Sequence, residues 1–267
     1  MSDDQARPLI DSPLRRRIDA GEVALGINVR LAWAGEIARI ARATGHDFIY
    51  IDAQHGVLNV ESIALMIQGA LLAGVAPVVR VRSSTDPDIS RHLDAGALGI
   101  VVPDVDSPGS ARRAVEATKY LPVGKRSIGG MSVHLDYRTM MTQEFTDASN
   151  AATLLICMIE SQEGLANVEE IGAVEGVDGL YLGMGDMLLT SPGYGGRVDS
   201  PAILADLERV IDVARRNGKF AGCGGPSTVE QQVDFIRRGV RFLSTQSDLA
   251  AVLQAMSARI GQIRQLL

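Results

Sequence analysis

Lysine is nearly missing from this sequence. Lys119, Lys125 and Lys219 are the only three in 267 residues, and none stands where a strand-like apolar run ends; Lys219 begins one. Covalent imine chemistry needs a lysine amine in the pocket, so the sequence argues against it. Cysteine is as scarce. Cys157 and Cys223 both fall in apolar runs without metal-ligand spacing, which excludes a disulfide framework and reads as two buried thiols. The formal charge is -6 with both signs interspersed, leaving no basic stripe for nucleic acid and no polybasic patch for a membrane. No apolar run approaches the ~18 residues of a membrane span, and the polar start MSDDQARPL has no signal-peptide pattern. A cytoplasmic setting is expected. The motif GMGD at Gly183–Asp186 lacks the third glycine of a dinucleotide fingerprint, and neither a P-loop nor a G-x-S-x-G elbow is present.

What the chain does have is alternation. Eight β-type runs, VALGINV, DFIYID, APVVRVR, LGIVVP, TLLICMI, DGLYLG, KFAGC and RFLSTQ, are separated by amphipathic stretches such as Val60–Ala73, Asp86–Ala95, Pro201–Asn217, Thr228–Arg238 and Asp248–Leu267. Strands alternating with helices imply a parallel sheet, and eight units imply a closed (β/α)8 TIM barrel, with an open doubly wound sheet as the alternative. The expected organisation is a flexible tail over residues 1–12 and a single barrel domain over 13–267. The stretch Tyr120–Asn150 breaks the rhythm, and a connection of that length reads as a lid or an interface arm.

Reactive groups of a parallel barrel gather where its strands end. TLLICMI ends at Glu160 and DGLYLG leads to Asp186; taken singly each is also a good loop acid or helix cap, but two acids on neighbouring strand tips can hold a hard divalent cation. After DFIYI come Asp52, Gln54 and His55, an acid and an imidazole at one mouth, although a lone histidine also serves as a cap. APVVRVR places Arg80 and Arg82 on one face by strand periodicity. Arg80 is the better oxyanion partner, and Arg82 suits a salt bridge on the rim. The glycines of GMGD let the backbone approach a ligand, with N–H groups free for a carboxylate.

FIYIDAQHG, PVVRV, LDAGALGIVVPDV, IESQEGLANV and GVDGLYLGMGDM together resemble the HpcH/HpaI family of metal-dependent, pyruvate-type class II aldolases, from about Leu14 to the C-terminal helix. The resemblance implies an aldolase that makes or cleaves 4-hydroxy-2-oxo acids through a pyruvate or hydroxypyruvate enolate, with a 2-oxo acid and an aldehyde as its small-molecule partners. It implies Glu160 and Asp186 as the protein ligands of Mg2+, Mn2+ or Co2+, His55 as the base, and Arg80 as the group that stabilises the enolate. It further implies Asp94 as the acid that supports the histidine and Asp52 as an acid lining the pocket. Substrate contacts would come from Gln54, Arg80, Met184, Gly185 and Asp186. Three departures bear on specificity: Gln54 where most members have glutamate, Met158 where many have glutamine, and Gly183-Met184-Gly185-Asp186 in place of Gly-Pro-Ala-Asp. The resemblance also implies a homo-oligomer, a hexamer built as a trimer of dimers, with an exchanged C-terminal helix. The alternatives are an acyl-CoA lyase of the citrate lyase β or malyl-CoA lyase kind, for which no basic cluster at the mouth is evident, and a non-catalytic barrel. Asp94 lies between a helix and the following strand, at the N-terminal end of its own barrel, so it can support His55 only across a subunit contact.

Overall fold

Strands β1 (Ala24–Val29), β2 (Phe48–Asp52), β3 (Ala76–Arg80), β4 (Gly99–Val102), β5 (Leu154–Ile159), β6 (Gly179–Gly183), β7 (Phe220–Gly224) and β8 (Phe242–Ser247) pair in parallel, each with the next, and β8 returns to β1. The closed barrel is the expected one, and every run read as a strand forms one. The computed structural model describes residues 8–130, 132–138, 142–225 and 228–267.

Strand pleating sorts the core into two. Outward side chains such as Ile49, Ile51, Val79 and Ile100 pack under the helices, while Phe48, Tyr50, Val78, Val101, Ile156, Met158, Tyr181 and Phe242 fill the interior. Phe48 and Phe242 stack with ring centroids 4.1 Å apart, and Tyr50 and Tyr181 lie 6.2 Å apart one layer above. Gly26 makes room for that stack, because a Cβ there would overlap the Phe48 ring. The interior is therefore closed below by aromatics and open only at the C-terminal ends of the strands.

Among the described residues the helices are α1 (Pro13–Asp19), α2 (Glu36–Ala43), α3 (Val60–Ala73), α4 (Ile89–Asp94), α5 (Pro108–Thr118), α6 (Thr142–Ala152), α7 (Gln162–Ala166), α8 (Val168–Gly172), α9 (Met184–Thr190), α10 (Pro201–Arg216), α11 (Val229–Arg238) and α12 (Asp248–Leu266). α3 keeps its expected bounds because Asn59 caps its start and Gly74, at φ 70°, ends it. α4 begins later than its sequence pattern suggests. Asp86 and Asp88 are engaged by Arg82, at 2.7 Å each, and hold the preceding residues in a loop. Arg82 is thus the rim salt-bridge residue its position suggested.

Of the expected tail, residues 1–7 lie outside the described residues. Over the remainder the chain is anchored rather than loose: Ile10 is buried and Ser12 caps α1. The stretch Tyr120–Asn150, whose residues 131 and 139–141 lie outside the described residues, carries the start of α6. Its ends clasp each other through Asn150 Oδ1, which accepts from the Tyr120 N–H at 2.7 Å, and Asn150 Nδ2, which donates to the Tyr120 carbonyl at 3.1 Å. The described residues of this connection, which precedes β5, lie beside Asp94 and Ala97 on the N-terminal side of the barrel, and none of them lines the chain's own mouth. No helix of the described residues is long and apolar enough to cross a membrane.

Candidate active site

A cavity of about 800 Å³ opens at the C-terminal ends of the strands, and Glu160, Asp186, Arg80 and His55 all line it. Glu160 stands one residue beyond β5 and is almost wholly buried. Its Oε1 accepts the Asp104 N–H at 2.9 Å. Ser161 starts α7 by accepting the Gly164 N–H at 2.9 Å while donating to Asp106, which fixes the backbone that carries Glu160. Gly183 lets the carboxylate in, because a Cβ there would come within 2.6 Å of Glu160 Oε2. Asp186 sits in the first turn of α9, beside backbone N–H groups that have no partner within so short a helix.

Burial, with the like charges of Asp104 and Asp186, pushes the Glu160 carboxyl up to about 7 against the pull of the Asp104 N–H and of Arg80. Asp104 is raised as well, by burial and by Asp106 and Asp186. It holds a left-handed backbone, φ 52°, unusual for a side-chain-bearing residue and typical of strained functional positions. Carboxylates crowded together in this way, with oxygen donors only, suit a hard divalent cation. Among the described residues no three acidic, histidine or cysteine side chains gather as a ready metal cage.

Arg80 ends β3 and is clamped from behind. Its Nε and Nη2 donate to Asp52 Oδ1 and Oδ2 at 3.0 and 2.6 Å, a bidentate pair. Burial by itself would raise Asp52, but the hydrogen bonds and charge of Arg80 and the His55 N–H outweigh it and hold the carboxyl below its ordinary value. Asp52 is fully buried and does not line the cavity; it positions Arg80 and orders the turn, accepting the Gln54 and His55 N–H groups at 3.2 and 3.1 Å. The expectation of a pocket-lining acid is corrected accordingly. Gln54 also stays off the cavity wall, its Oε1 buried without a partner, because the turn after β2 directs His55 to the mouth instead. Among the described residues no side chain pairs with the His55 ring. Met184 and Gly185 line the cavity beside Asp186.

Asp94 is nowhere near this cavity. It ends α4 at the opposite end of the barrel and pairs with Arg126 at 2.6 Å, with 45% of its side chain exposed. The lysines are absent from the cavity too: Lys119 is buried against Asp178 at 2.9 Å, Lys125 pairs with Glu116 at 2.6 Å, and Lys219 donates to two carbonyls. Both cysteines are free and buried, and burial pushes Cys157 up to about 12.

Residues that the sequence reading passed over complete the floor. Asn28 and Tyr50 are register partners on β1 and β2, and the Asn28 Oδ1 and the Tyr50 hydroxyl are buried without partners at the cavity base. Arg80 lies over the Tyr50 ring, 5.7 Å from its centroid. Period-two alternation puts Tyr50 on the face of Asp52, which was the available signal.

A family model for HpcH/HpaI aldolase/citrate lyase matches residues 32–255. The chain belongs to the HpcH/HpaI aldolase/citrate lyase family. It is 30% identical to a 2-keto-3-deoxy-L-rhamnonate aldolase of Escherichia coli O9:H4 (strain HS) over 96% of this chain and 94% of that protein. It is 32% identical to a 4-hydroxy-4-methyl-2-oxoglutarate aldolase of Chaetomium globosum over 90% of this chain and 89% of that one. The crystal structure of an HpcH/HpaI aldolase from Desulfitobacterium hafniense DCB-2 superposes with a TM-score of 0.89 at 26% identity, covering 96% of this chain and 98% of that chain. The family's aldolase character fits a cavity with paired acids, an arginine and no lysine.

Proposed function

We propose that this chain is a divalent-metal-dependent aldolase that forms and cleaves 4-hydroxy-2-oxo acids through the enolate of pyruvate or hydroxypyruvate. The observation that carries the reading is the meeting of Glu160, Asp186, Arg80 and His55 in one cavity that no lysine lines. Glu160 and Asp186 would hold Mg2+, Mn2+ or Co2+, which when bound supplies Lewis-acid polarisation of the 2-oxo acid. The free N–H groups at Gly185 and Asp186 receive the substrate carboxylate. Arg80, held rigid by Asp52, presents its guanidinium to the oxygen that gains charge as the enolate forms. His55 at the mouth takes the proton of the 4-hydroxyl in cleavage and returns it in addition. Tyr50 and Asn28 offer polar contacts at the base, and Gln54 and Met158 are departures from the family pattern that bear on specificity.

The oligomer belongs to this reading. α12 is fastened at its start, where the Asp248 carboxylate accepts the Leu31 and Ala32 N–H groups at 3.0 and 2.8 Å. Beyond that it leaves Val252, Leu253, Met256, Ile260 and Ile263 between 42% and 63% exposed. An apolar face of this extent is covered by another copy in a homo-oligomer, here proposed as a hexamer, a trimer of dimers that exchange the C-terminal helix.

The test is a screen of 2-oxo acids against aldehydes with each of the three metals, with carbon–carbon bond formation expected for pyruvate or hydroxypyruvate donors. Turnover of acyl-CoA esters without 2-oxo acid activity would overturn it. The raised Glu160 adds a pH signature. Its folded value of about 7 lies above its ordinary 4.5, so its contribution to the stability of the metal-free protein is complete below 4.5 and is lost as pH rises through 7. A cation needs the carboxylate, so Mn2+ affinity measured by calorimetry is expected to climb between about pH 6 and about pH 8, with proton release on binding that fades toward the higher value. Affinity flat across that range would contradict the assignment.

A further inference from the structure

The opposite end of the barrel holds a second cleft, of about 610 Å³, between α1, the C-terminal ends of α10 and α11, and the starts of β6, β7 and β8. Small-molecule sites span roughly 300–1,000 Å³. Six cationic side chains line it, Arg15, Arg215, Lys219, Arg237, Arg238 and Arg241, against two acids, Asp19 and Asp178. That balance is the reverse of the chain's net charge of -6.

Partner by partner, positive charge is left over. Arg15 pairs with Asp19 at 3.7 Å and with Asp178, which also holds the buried Lys119 at 2.9 Å, so the Asp178 carboxylate already faces two cations. Arg215 is met by Asp212 at 2.9 Å, and Arg238 by Asp234 and Glu208, from outside the cleft. Lys219 Nζ donates only to the Val174 and Val177 carbonyls, both at 2.7 Å, and Arg241 Nη1 only to the Ile236 and Val240 carbonyls, at 3.1 and 3.0 Å. Arg237 has neither a hydrogen bond nor an ion pair among the described residues, and the Arg15 Nε is buried with no partner. Cations at the last turns of α10 and α11 answer those helix dipoles, which explains Arg215, Arg237 and Arg238. The same account does not reach Arg15, Lys219 and Arg241, which stand on α1 and at strand starts. Lys219 and Arg241, half-buried with carbonyl partners alone, are costly cations unless an anion meets them.

We infer that this cleft is a second binding site, remote from the catalytic cavity, that takes a small, multiply charged oxyanion: a phosphate ester or a polycarboxylate. Guanidinium forks suit either group, and Phe220, Ile18 and Ile211 give the rest of the ligand an apolar wall. The test is calorimetric titration of the full-length, metal-loaded protein with inorganic phosphate and, separately, with propane-1,2,3-tricarboxylate, at ionic strength held constant with sodium chloride. Saturable binding by at least one of the two is expected, and the responding arm identifies the chemistry. Arg237→Ser, an exposed change that breaks no contact, is expected to weaken it by about tenfold, and Arg237→Ser with Arg241→Ser further. Arg80→Ala, which removes one of the cationic groups that line the catalytic cavity, is expected to leave it unchanged. No saturable binding by either anion, or binding lost in Arg80→Ala and intact in Arg237→Ser, would overturn the inference.

Discussion

Glu160→Gln and Asp186→Asn are each expected to lower kcat/KM for 2-oxo acid aldol chemistry by at least about a thousandfold while leaving the barrel folded. The amide oxygen of a glutamine at 160 can still accept the Asp104 N–H, which Glu160 takes at 2.9 Å, so the end of β5 keeps its tie to the turn after β4. The charge is what disappears. Because burial and the neighbouring Asp104 and Asp186 disfavour the Glu160 carboxylate, its neutral isostere is expected to melt no lower than the wild type in metal-free buffer at about pH 8, where the carboxylate is ionised. Thermal melts beside turnover separate the two effects. A Glu160→Gln chain that unfolds would make Glu160 a structural residue, and one that retains turnover would remove it from the metal site.

Two inactive chains are expected to repair each other. Asp94 lies at the far end of its own barrel and is 45% exposed beside Arg126, so it can serve a histidine only in a neighbouring subunit. The His55 ring, for its part, finds no side-chain partner among the described residues of its own chain. Equal amounts of His55→Ala and Asp94→Ala chains, mixed and allowed to exchange, are expected to recover roughly a quarter of wild-type activity, the share of shared sites that draw both intact groups. If exchange is verified by mass and activity stays at the level of the parents, Asp94 keeps only its local role of holding Arg126 over the Tyr120 ring, 4.6 Å from its centroid.

The barrel was legible because each strand is an apolar run of strand length, set between helical patterns with their own caps and glycine stops. Short helices were not: α7, α8 and α9 span five to seven residues, less than two turns, and show no periodicity to detect. The start of α6 was hidden inside a polar stretch that reads as loop. In the site, Glu160, Asp186, His55 and Arg80 could be found because a parallel barrel brings its strand ends together, so position along each strand was enough. The same rule extends to Asp104, two residues past the end of β4, which was passed over although its carboxylate faces the same acids. Asp52 shows the limit of that rule. A strand end gives depth in the barrel but not exposure to the cavity, and the bidentate pair with Arg80 leaves this acid buried behind the cavity wall. Asn28 and Tyr50 were masked by ordinary strand composition, since a tyrosine in an apolar run looks like core until its hydroxyl is found without a partner.

The most direct measurement is release of pyruvate or hydroxypyruvate from 4-hydroxy-2-oxo acids by the wild-type chain, followed before and after exhaustive EDTA treatment and then after Mg2+, Mn2+ or Co2+ is returned. Activity is expected to vanish with the chelator and to return with at least one of the three ions in wild type, and not in Glu160→Gln. Undiminished cleavage in excess EDTA would contradict a metal-dependent site built on Glu160 and Asp186.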